Sequence, residues 1–181
     1  AQLKQAILKG LGLLNTKIDK LHNDSHTDPM TGLFNQRAMQ QMLDDYQAQS
    51  LPLAVIALDI DHFKTINDHF GHDVGDAVIV SLATLMQQDL RADAALCRSG
   101  GEEFLLLLPG VSGVQAERIA ERLRLRVESH EMGQAGRITI SLGVAHWPGD
   151  ASDLGAVLKQ ADKALYQAKH RGRNCVVVAG A

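Results

Sequence analysis

Two adjacent carboxylates follow two glycines in a segment with apolar residues on both sides. The segment Arg98-Ser99-Gly100-Gly101-Glu102-Glu103-Phe104 joins the apolar runs 94–97 and 104–108. Two glycines favour a tight hairpin turn, because both can take positive φ without a steric cost. Acids beside bare backbone at the edge of a sheet are suited to a metal-bound phosphate group. Taken alone, the segment is more typical of a solvated hairpin tip.

A second pair of acids ends a continuous apolar run. Residues 53–58 are typical of a central strand covered on both faces, and Asp59 and Asp61 follow them. Asp61 is predicted to cap the next helix by accepting its free backbone N–H groups. Asp59 is then left at the strand end without a local partner. If this strand lies beside the hairpin, Asp59 and Glu102 form an oxygen pair suited to Mg²⁺ or Mn²⁺.

A sheet is needed to bring these acids together, and the hydrophobic pattern predicts one. Segments with helical periodicity alternate with strands, and residues 137–146 show the two-residue alternation of a strand. The predicted helices are 36–47, 62–69, 74–89, 113–129 and 152–169, and the predicted strands are 52–59, the two hairpin strands, 137–146 and 174–178. The pattern indicates an α/β (α+β) domain with a mixed central sheet flanked by helices.

Five short motifs occur along most of the chain. In chain order they are Asp28-Pro29-Met30-Thr31-Gly32-Leu33, residues 59–68, Gly71-His72-Asp73-Val74-Gly75-Asp76, the Gly-Gly-Glu-Glu-Phe turn, and residues 161–169 followed by Gly172-Arg173-Asn174. As a set they resemble the GGDEF domain, the diguanylate cyclase family, in its GGEEF form. The resemblance implies a palm-like fold similar to nucleotidyl cyclases. It also implies a metal-dependent dimer that joins two GTP molecules into cyclic di-GMP and releases pyrophosphate.

The resemblance implies roles for the acidic residues and for one lysine. Asp59, the Ile60 carbonyl and Glu102 match the metal ligands of the family, with Mg²⁺ or Mn²⁺ as the ion. Glu103 matches the second acid of the family, which is either a ligand of a second metal ion or the base for the attacking hydroxyl. Proton acceptance is expected from the Glu102 and Glu103 pair, with neither residue singled out. Lys64 is expected to neutralise charge on the phosphates, with a solvated helix lysine as the alternative.

Substrate contacts are expected, by the same resemblance, from Phe63, Asn67, His72, Asp76, Lys169 and Arg173. Asn67 and Asp76 match the residues that read guanine, because an amide and a carboxylate can pair with groups that adenine does not present. Lys169 and Arg173 match contacts to the far end of the triphosphate. The alternatives are structural: Asp76 as an acid in the first turn of a helix, and the two cations as favourable charges at a helix C-terminus.

One motif of the family departs from its usual pattern. Members that are inhibited by their product carry Arg-x-x-Asp before the glycines, whereas this chain has Arg91-Ala92-Asp93-Ala94. On an extended segment, a shift of one residue sends a side chain to the opposite face. The sequence therefore predicts a degenerate product-inhibition site at Arg91, with the acid displaced to Asp93, and weak or absent product inhibition.

Residues 1–24 differ in pattern from the rest of the chain. Their apolar residues have a heptad spacing, at Ile7, Leu11, Leu14, Ile18 and Leu21. The spacing predicts a stalk helix that supports a homodimer, with an amphipathic helix packed on its own domain as the alternative. We divide the chain into a linker or stalk, residues 1–27, and a GGDEF domain, residues 28–181. The family usually places a sensory module before such a helix, and a start without Met is typical of a fragment.

Composition narrows the class of protein. The chain has 181 residues, of which 45% are hydrophobic, and a net charge of −3. That charge gives no general attraction to nucleic acid or to an acidic membrane, and no apolar run is long enough to span a bilayer. Cys97 and Cys175 are expected to be reduced core residues. The expected location is the cytoplasm, with a membrane anchor left open for the full-length protein.

Two functions without catalysis remain open from the sequence. One is a silent GGDEF module that binds GTP or cyclic di-GMP as a signalling receptor, and the other is a dimerisation module driven by residues 1–24. The match at every catalytic position favours the enzyme. The displaced acid near Arg91 argues against a receptor for cyclic di-GMP.

Overall fold

The structure is a computed structural model that describes residues 25–149 and 153–180, together with Gln2. Within these residues the strands are β1 (Leu53–Ile60), β2 (Ala95–Arg98), β3 (Glu103–Pro109), β4 (Ile140–Trp147) and β5 (Val176–Val178). The helices are α1 (Gln36–Ala48), α2 (Phe63–Phe70), α3 (His72–Gln88), α4 (Gly113–Glu128) and α5 (Leu154–His170), with a 3₁₀ turn at Gly133–Ala135. The predicted stalk helix falls on residues that lie outside the described ones, Gln2 excepted.

The strands form one mixed sheet in the order β2-β3-β1-β4-β5. The central strand β1 pairs antiparallel with both β3 and β4, while β2 pairs antiparallel with β3 and β5 pairs parallel with β4. Every residue of β1 is buried, as its continuous apolar run predicts for a strand covered on both faces. The predicted mixed sheet with flanking helices is confirmed.

Alternate residues of β1 belong to two hydrophobic layers. Residues 54, 56 and 58 pack in the layer that contains α3 and α4. Residues 53, 55 and 57 pack in the layer that contains α1 and α5. Because side chains alternate along a strand, Asp59 continues the second set and faces the side of the sheet covered by α5.

The contact between β4 and α5 depends on a glycine. A Cβ added at Gly143 would lie 2.9 Å from the backbone carbonyl carbon of Ala164, and closer still to Ala161 O and Leu165 N. The backbone of α5 therefore packs directly on the backbone of β4. This close approach fixes the depth of Lys169, which lies one helical turn beyond Leu165.

Element boundaries differ from the predicted ones by up to three residues, and three of the differences have a local cause. β4 begins at Ile140 rather than at residue 137, because Arg137 makes a separate bridge. α3 begins at His72 rather than at residue 74, directly after Gly71, whose φ of 91° ends α2. β5 is limited to residues 176–178 rather than 174–178, because Asn174 has left-handed backbone with φ 46°.

Two expectations from composition concern the state of the cysteines and the lack of a membrane-spanning segment. Cys97 and Cys175 are both reduced thiols, and Cys97 is buried in the layer with α1 and α5. No helix within the described ranges combines the length and apolar character that a membrane crossing requires.

Candidate active site

A cleft of about 270 Å³ opens where β1 ends, and it brings together the acids that the sequence singles out. It is lined by Asp59, Ile60, Asp61, His62, Phe63, Lys64, Thr65, Glu102, Lys169 and Arg173. Asp59 and Glu102, far apart in the chain, therefore face the same space. Five charged residues expected at the metal or the phosphates line it: Asp59, Lys64, Glu102, Lys169 and Arg173.

Strand register explains why these acids meet. Asp59 lies opposite Glu103 of β3 and opposite Ser141 of β4. The Ile60 N–H donates to the Glu102 carbonyl oxygen at 3.4 Å, which attaches the turn to the end of β1. Directly opposed residues of an antiparallel pair project to the same face, so Asp59 and Glu103 share one side of the sheet.

The sequence offers Asp59 no local partner, but the structure gives it a distant one. Its carboxylate is buried, at 4% exposure, and it forms an ion pair with the Lys169 ammonium group of α5. Burial raises the pKa of Asp59, and repulsion from Glu102 and Asp61 adds to this, while Lys169 acts in the opposite direction. The local sequence could not show this contact, because it depends on how closely α5 packs on the sheet.

Asp61 does not cap α2, so this prediction is wrong. Its buried carboxylate accepts hydrogen bonds from the Thr139 hydroxyl at 2.7 Å, the Ser141 hydroxyl at 2.6 Å and the Asn174 backbone N–H at 3.0 Å. The N-cap of α2 is His62, which has left-handed backbone with φ 56° and makes no side-chain cap. Asp61 instead joins the end of β1 to β4 and to the loop before β5.

The Gly-Gly turn is a longer loop than predicted, and its glycines do not have positive φ. The N–H groups of Ser99 and Gly100 donate to the Glu103 carbonyl at 3.0 and 3.3 Å. A Cβ at Gly100 would lie 3.1 Å from Glu103 Oε2, whereas one at Gly101 would meet nothing within 4 Å. The lack of a side chain therefore leaves room for the Glu103 carboxylate at Gly100, whereas nothing in the structure crowds a side chain at Gly101.

Arg98 connects this turn to the start of the domain. Its Nε and Nη2 groups donate to the Gly101 carbonyl at 3.2 and 2.8 Å. Its Nη1 group donates to both carboxylate oxygens of Asp28, at 3.2 and 3.1 Å. Partial burial acts to raise the pKa of Asp28, but hydrogen bonds from Thr31 and Arg98 hold that pKa below its ordinary value. One guanidinium group thus holds the carbonyl next to Glu102.

The residues expected to read guanine lie on α2 and α3. Gly75 of α3 is in contact with Asn67 of α2, since a Cβ there would overlap Asn67 Oδ1 and lie 3.2 Å from Phe63 Cζ. Asp76 follows Gly75 and is exposed, and His72 is the exposed first residue of α3. Phe63 lines the cleft and also approaches Gly75, so it connects the two groups of expected substrate contacts.

The residues at the end of β1 fit a hard divalent cation by their chemistry. Two carboxylates, Asp59 and Glu102, face one cleft together with the backbone of Ile60, and such cations prefer oxygen ligands. The raised pKa of Asp59 reflects a buried carboxylate whose charge Lys169 balances only in part. Within the described residues, no group of three or more His, Cys, Asp or Glu side chains has a metal-binding arrangement. The expected metal ligands include only two such side chains, those of Asp59 and Glu102.

The segment around Arg91 is a turn, so the argument from opposite strand faces is wrong. The Ala94 N–H donates to the Arg91 carbonyl at 3.1 Å, and the Arg91 guanidinium pairs with Asp93 at 3.0 Å. The displaced acid therefore lies beside the arginine rather than across from it. Position 94, where the family has its acid, is a fully buried alanine.

Four residues important to the site geometry were not assigned a role from the sequence. They are Arg98, Thr139, Ser141 and Asn174. The alternation of residues 137–146 placed Thr139 and Ser141 on one face, which is the signal that could have paired them with Asp61. Asn174 follows Arg173 in a recognised motif, but its partners come from β1 and α4.

Comparisons with known proteins identify the family of this chain. The family model described as "Diguanylate cyclase, GGDEF domain" matches residues 25–175. The response regulator PleD of Caulobacter vibrioides (strain NA1000 / CB15N) is 42% identical over 160 residues, which cover 83% of this chain and 35% of PleD. The chain thus spans about a third of the length of that relative.

Two solved structures of GGDEF domains have the same fold. The GGDEF domain of DgcB from Caulobacter crescentus, in complex with c-di-GMP, has a TM-score of 0.80 and 32% identity, covering 86% of this chain and 96% of that one. The active GGEEF domain of a diguanylate cyclase from Vibrio cholerae has a TM-score of 0.71 and 34% identity, covering 78% and 96%. The chain belongs to the GGDEF diguanylate cyclase family.

Proposed function

We propose that this chain is an active diguanylate cyclase that condenses two GTP molecules into cyclic di-GMP and releases two pyrophosphates. The observation that carries the proposal is that Asp59 and Glu102 line one cleft together with three basic side chains, Lys64, Lys169 and Arg173. Transfer of a phosphoryl group depends on positioning and on neutralising charge, and this set of groups can do both. The family of the chain and the GGEEF form of its turn support the same reaction.

The phosphates are proposed to lie at the N-terminus of α2. This helix has no side-chain cap, so its first N–H groups are available to an anion, and residues 62–65 line the cleft. Lys64 is exposed there, and no ion pair among the described residues uses Lys64 or Arg173. Arg173 and Lys169 are proposed to bind the far end of the triphosphate, Lys169 from its place beside Asp59.

The chemical step is proposed to use the acids of the turn. The 3′-oxygen of one GTP forms a bond to the α-phosphorus of the other, and the bond from that phosphorus to the bridging oxygen breaks, so pyrophosphate leaves. The hydroxyl proton passes to the carboxylate pair of Glu102 and Glu103. A second, equivalent step closes the ring.

A divalent cation, Mg²⁺ or Mn²⁺, is proposed as the cofactor. Asp59, Glu102 and the Ile60 carbonyl would hold it, and it would supply charge neutralisation at the reacting phosphate. The buried position of Asp59 supports this. Lys169 offsets only part of the cost of burying the carboxylate charge, so a bound cation would stabilise that charge further.

Guanine is proposed to be read by Asn67 and Asp76, with His72 and Phe63 nearby. Asn67 contacts Gly75, the residue that precedes Asp76 in the chain, and this supports a shared base-binding position. Selectivity over adenine follows because a mismatched base leaves these polar groups unpaired.

A homodimer is proposed as the active form. If each cleft binds one GTP, two chains must face each other to bring two α-phosphates and two hydroxyls together. Residues 1–27 are proposed as the stalk that supports this dimer and residues 28–181 as the cyclase domain. An N-terminal sensory domain in the full-length protein is part of the same proposal.

The test is to incubate the chain with GTP and Mg²⁺ and to identify the product by chromatography. We expect cyclic di-GMP and pyrophosphate, and we expect Glu102→Ala to lower the rate by roughly 100-fold or more while the variant stays folded. Glu117→Ala, which removes an exposed glutamate of α4, is the matched control and should keep the wild-type rate. No product at any protein concentration would refute the proposal.

A further inference from the structure

Three successive residues after α5 have positive φ. The values are 110° for Gly172, 66° for Arg173 and 46° for Asn174. Glycine adopts this conformation freely and asparagine tolerates it, whereas arginine does so rarely. An arginine held in left-handed backbone needs neighbours that determine its conformation.

The first of these neighbours is the end of α5. The Arg173 N–H donates to the Ala168 carbonyl at 3.0 Å, and Gly172 lies at the position after the C-cap Arg171. This is the Schellman arrangement, which ends a helix and reverses the chain. The reversal returns Arg173 to the cleft, where its side chain is part of the lining.

The second neighbour is Asn174, which is held from two directions. Its backbone N–H donates to the buried Asp61 carboxylate at 3.0 Å. Its side-chain oxygen accepts from Arg124 Nη1 at 2.9 Å, and its side-chain nitrogen donates to Glu128. Arg124 and Glu128 belong to α4, a helix that contributes no residue to the cleft lining.

We propose that Asn174 is a positioning residue for Arg173, and that its contacts with Asp61 and α4 hold the Arg173 guanidinium where it binds the terminal phosphates. The triphosphate as ligand rests on the proposed function, whereas the positioning of Arg173 rests on the contacts of Asn174 with Asp61 and α4. Arg173 has no ion-pair partner among the described residues, so its direction depends on the backbone that carries it.

The substitution Asn174→Gly separates the two roles of this residue. Glycine keeps the left-handed backbone at no cost but removes both side-chain contacts with α4. Arg173→Ala removes the guanidinium itself. The third variant combines the two changes, because residues that act through one another give non-additive losses.

The experiment measures binding of inorganic tripolyphosphate, and separately of GTP, to the whole chain by calorimetry, with cyclase turnover recorded alongside. Loss of one charged hydrogen-bonding group corresponds to a drop in affinity of roughly tenfold. We expect Arg173→Ala to lose about this factor, Asn174→Gly to lose most of it, and the double variant to bind no more weakly than Arg173→Ala. Guanosine, which has no phosphates, should bind all variants equally.

Asn35→Gly is the matched control. Asn35 caps α1 by accepting from Ala38 N and donating to Ser25 O, outside the cleft. This change should lower the melting temperature without changing tripolyphosphate affinity. If Asn174→Gly does not fold, Glu128→Ala removes the acceptor for the Asn174 side chain and serves the same comparison.

Additive losses in the double variant, or wild-type affinity in Asn174→Gly, would overturn the positioning role even if the wild type makes cyclic di-GMP. A wild type that does not bind tripolyphosphate would overturn it too. Conversely, a wild type that shows the expected affinities but makes no product supports the positioning role and refutes the proposed activity.

Discussion

Gly75 offers a substitution in which stability and nucleotide binding should separate. A Cβ at this position would overlap Asn67 Oδ1 and lie 2.9 Å from Asn67 Cγ and 3.2 Å from Phe63 Cζ. All of these atoms belong to side chains, and none belongs to the backbone. The Gly75→Ala change should therefore displace the Asn67 amide without moving α2 or α3.

The stability of Gly75→Ala is set by two small opposing terms. Replacing glycine inside a helix gains about 0.5–1 kcal/mol. Forcing the Asn67 side chain from its preferred rotamer costs about 0.5–1.5 kcal/mol. We expect the free energy of unfolding, measured in urea, to change by no more than about 1 kcal/mol.

Nucleotide binding should respond much more strongly. If Asn67 reads guanine, its displacement leaves a polar group of the base unpaired, which costs about 1–3 kcal/mol. This corresponds to roughly a 5- to 150-fold loss of affinity for a non-hydrolysable GTP analogue. Selectivity for that analogue over its adenine counterpart should fall by the same factor, because the lost contact is to the base.

Two controls make the comparison specific. Gly155→Ala, in the first turn of α5, changes a helix glycine whose Cβ would meet only Asp153 Oδ1, at 3.3 Å, and should leave GTP affinity unchanged. Gly75→Ala added to Asn67→Ala should bind no more weakly than Asn67→Ala alone. Wild-type GTP affinity in a folded Gly75→Ala protein would refute the assignment of Asn67 to the base.

Three other predictions follow from single contacts in the structure. Gly143→Ala should lower the free energy of unfolding by several kcal/mol, roughly as severe overpacking does, because its Cβ meets the backbone of α5; a near-neutral urea midpoint would contradict this contact. Asp28→Asn should cost about 1–3 kcal/mol at pH 7, where the carboxylate is ionised beside Arg98. Because folding lowers the pKa of Asp28, its contribution is present above the ordinary value of 3.8 and is lost as pH falls through and below it, so the difference in unfolding free energy from wild type should shrink in acid. Cyclic di-GMP should inhibit turnover weakly, and Arg91→Ala should leave that inhibition unchanged, since Arg91 already pairs with Asp93; strong inhibition that Arg91→Ala abolishes would count against this.

Local patterns in the sequence were sufficient for the elements and for the two acids at the centre of the site. The apolar run of β1, followed at once by Asp59, predicted a central strand with a carboxylate at its end, because full burial on both faces leaves only apolar residues inside. The acids after Gly100 and Gly101 were likewise predicted to lie at a turn. Antiparallel pairing of β1 with β3 then brings the two places together.

The partners of these acids depended on the tertiary structure. Asp61 accepts from residues 78, 80 and 113 positions away, and no local pattern contains those distances. A helix N-terminus next to a carboxylate predicted a cap. Asp61 instead accepts from three donors, which lie directly before β4, in β4 and in the loop before β5. In the same way, Lys169 reaches Asp59 because α5 packs against Gly143 without an intervening side chain.

The backbone conformation of the glycine turn could not be predicted from the sequence. Glycine permits positive φ but does not require it, so Gly100 and Gly101 predicted a turn without deciding its form. Arg98, held by Asp28 at one end, donates to the Gly101 carbonyl and selects the longer loop. Residue types determined which groups could do chemistry here, and long-range strand register and helix packing decided which of them meet.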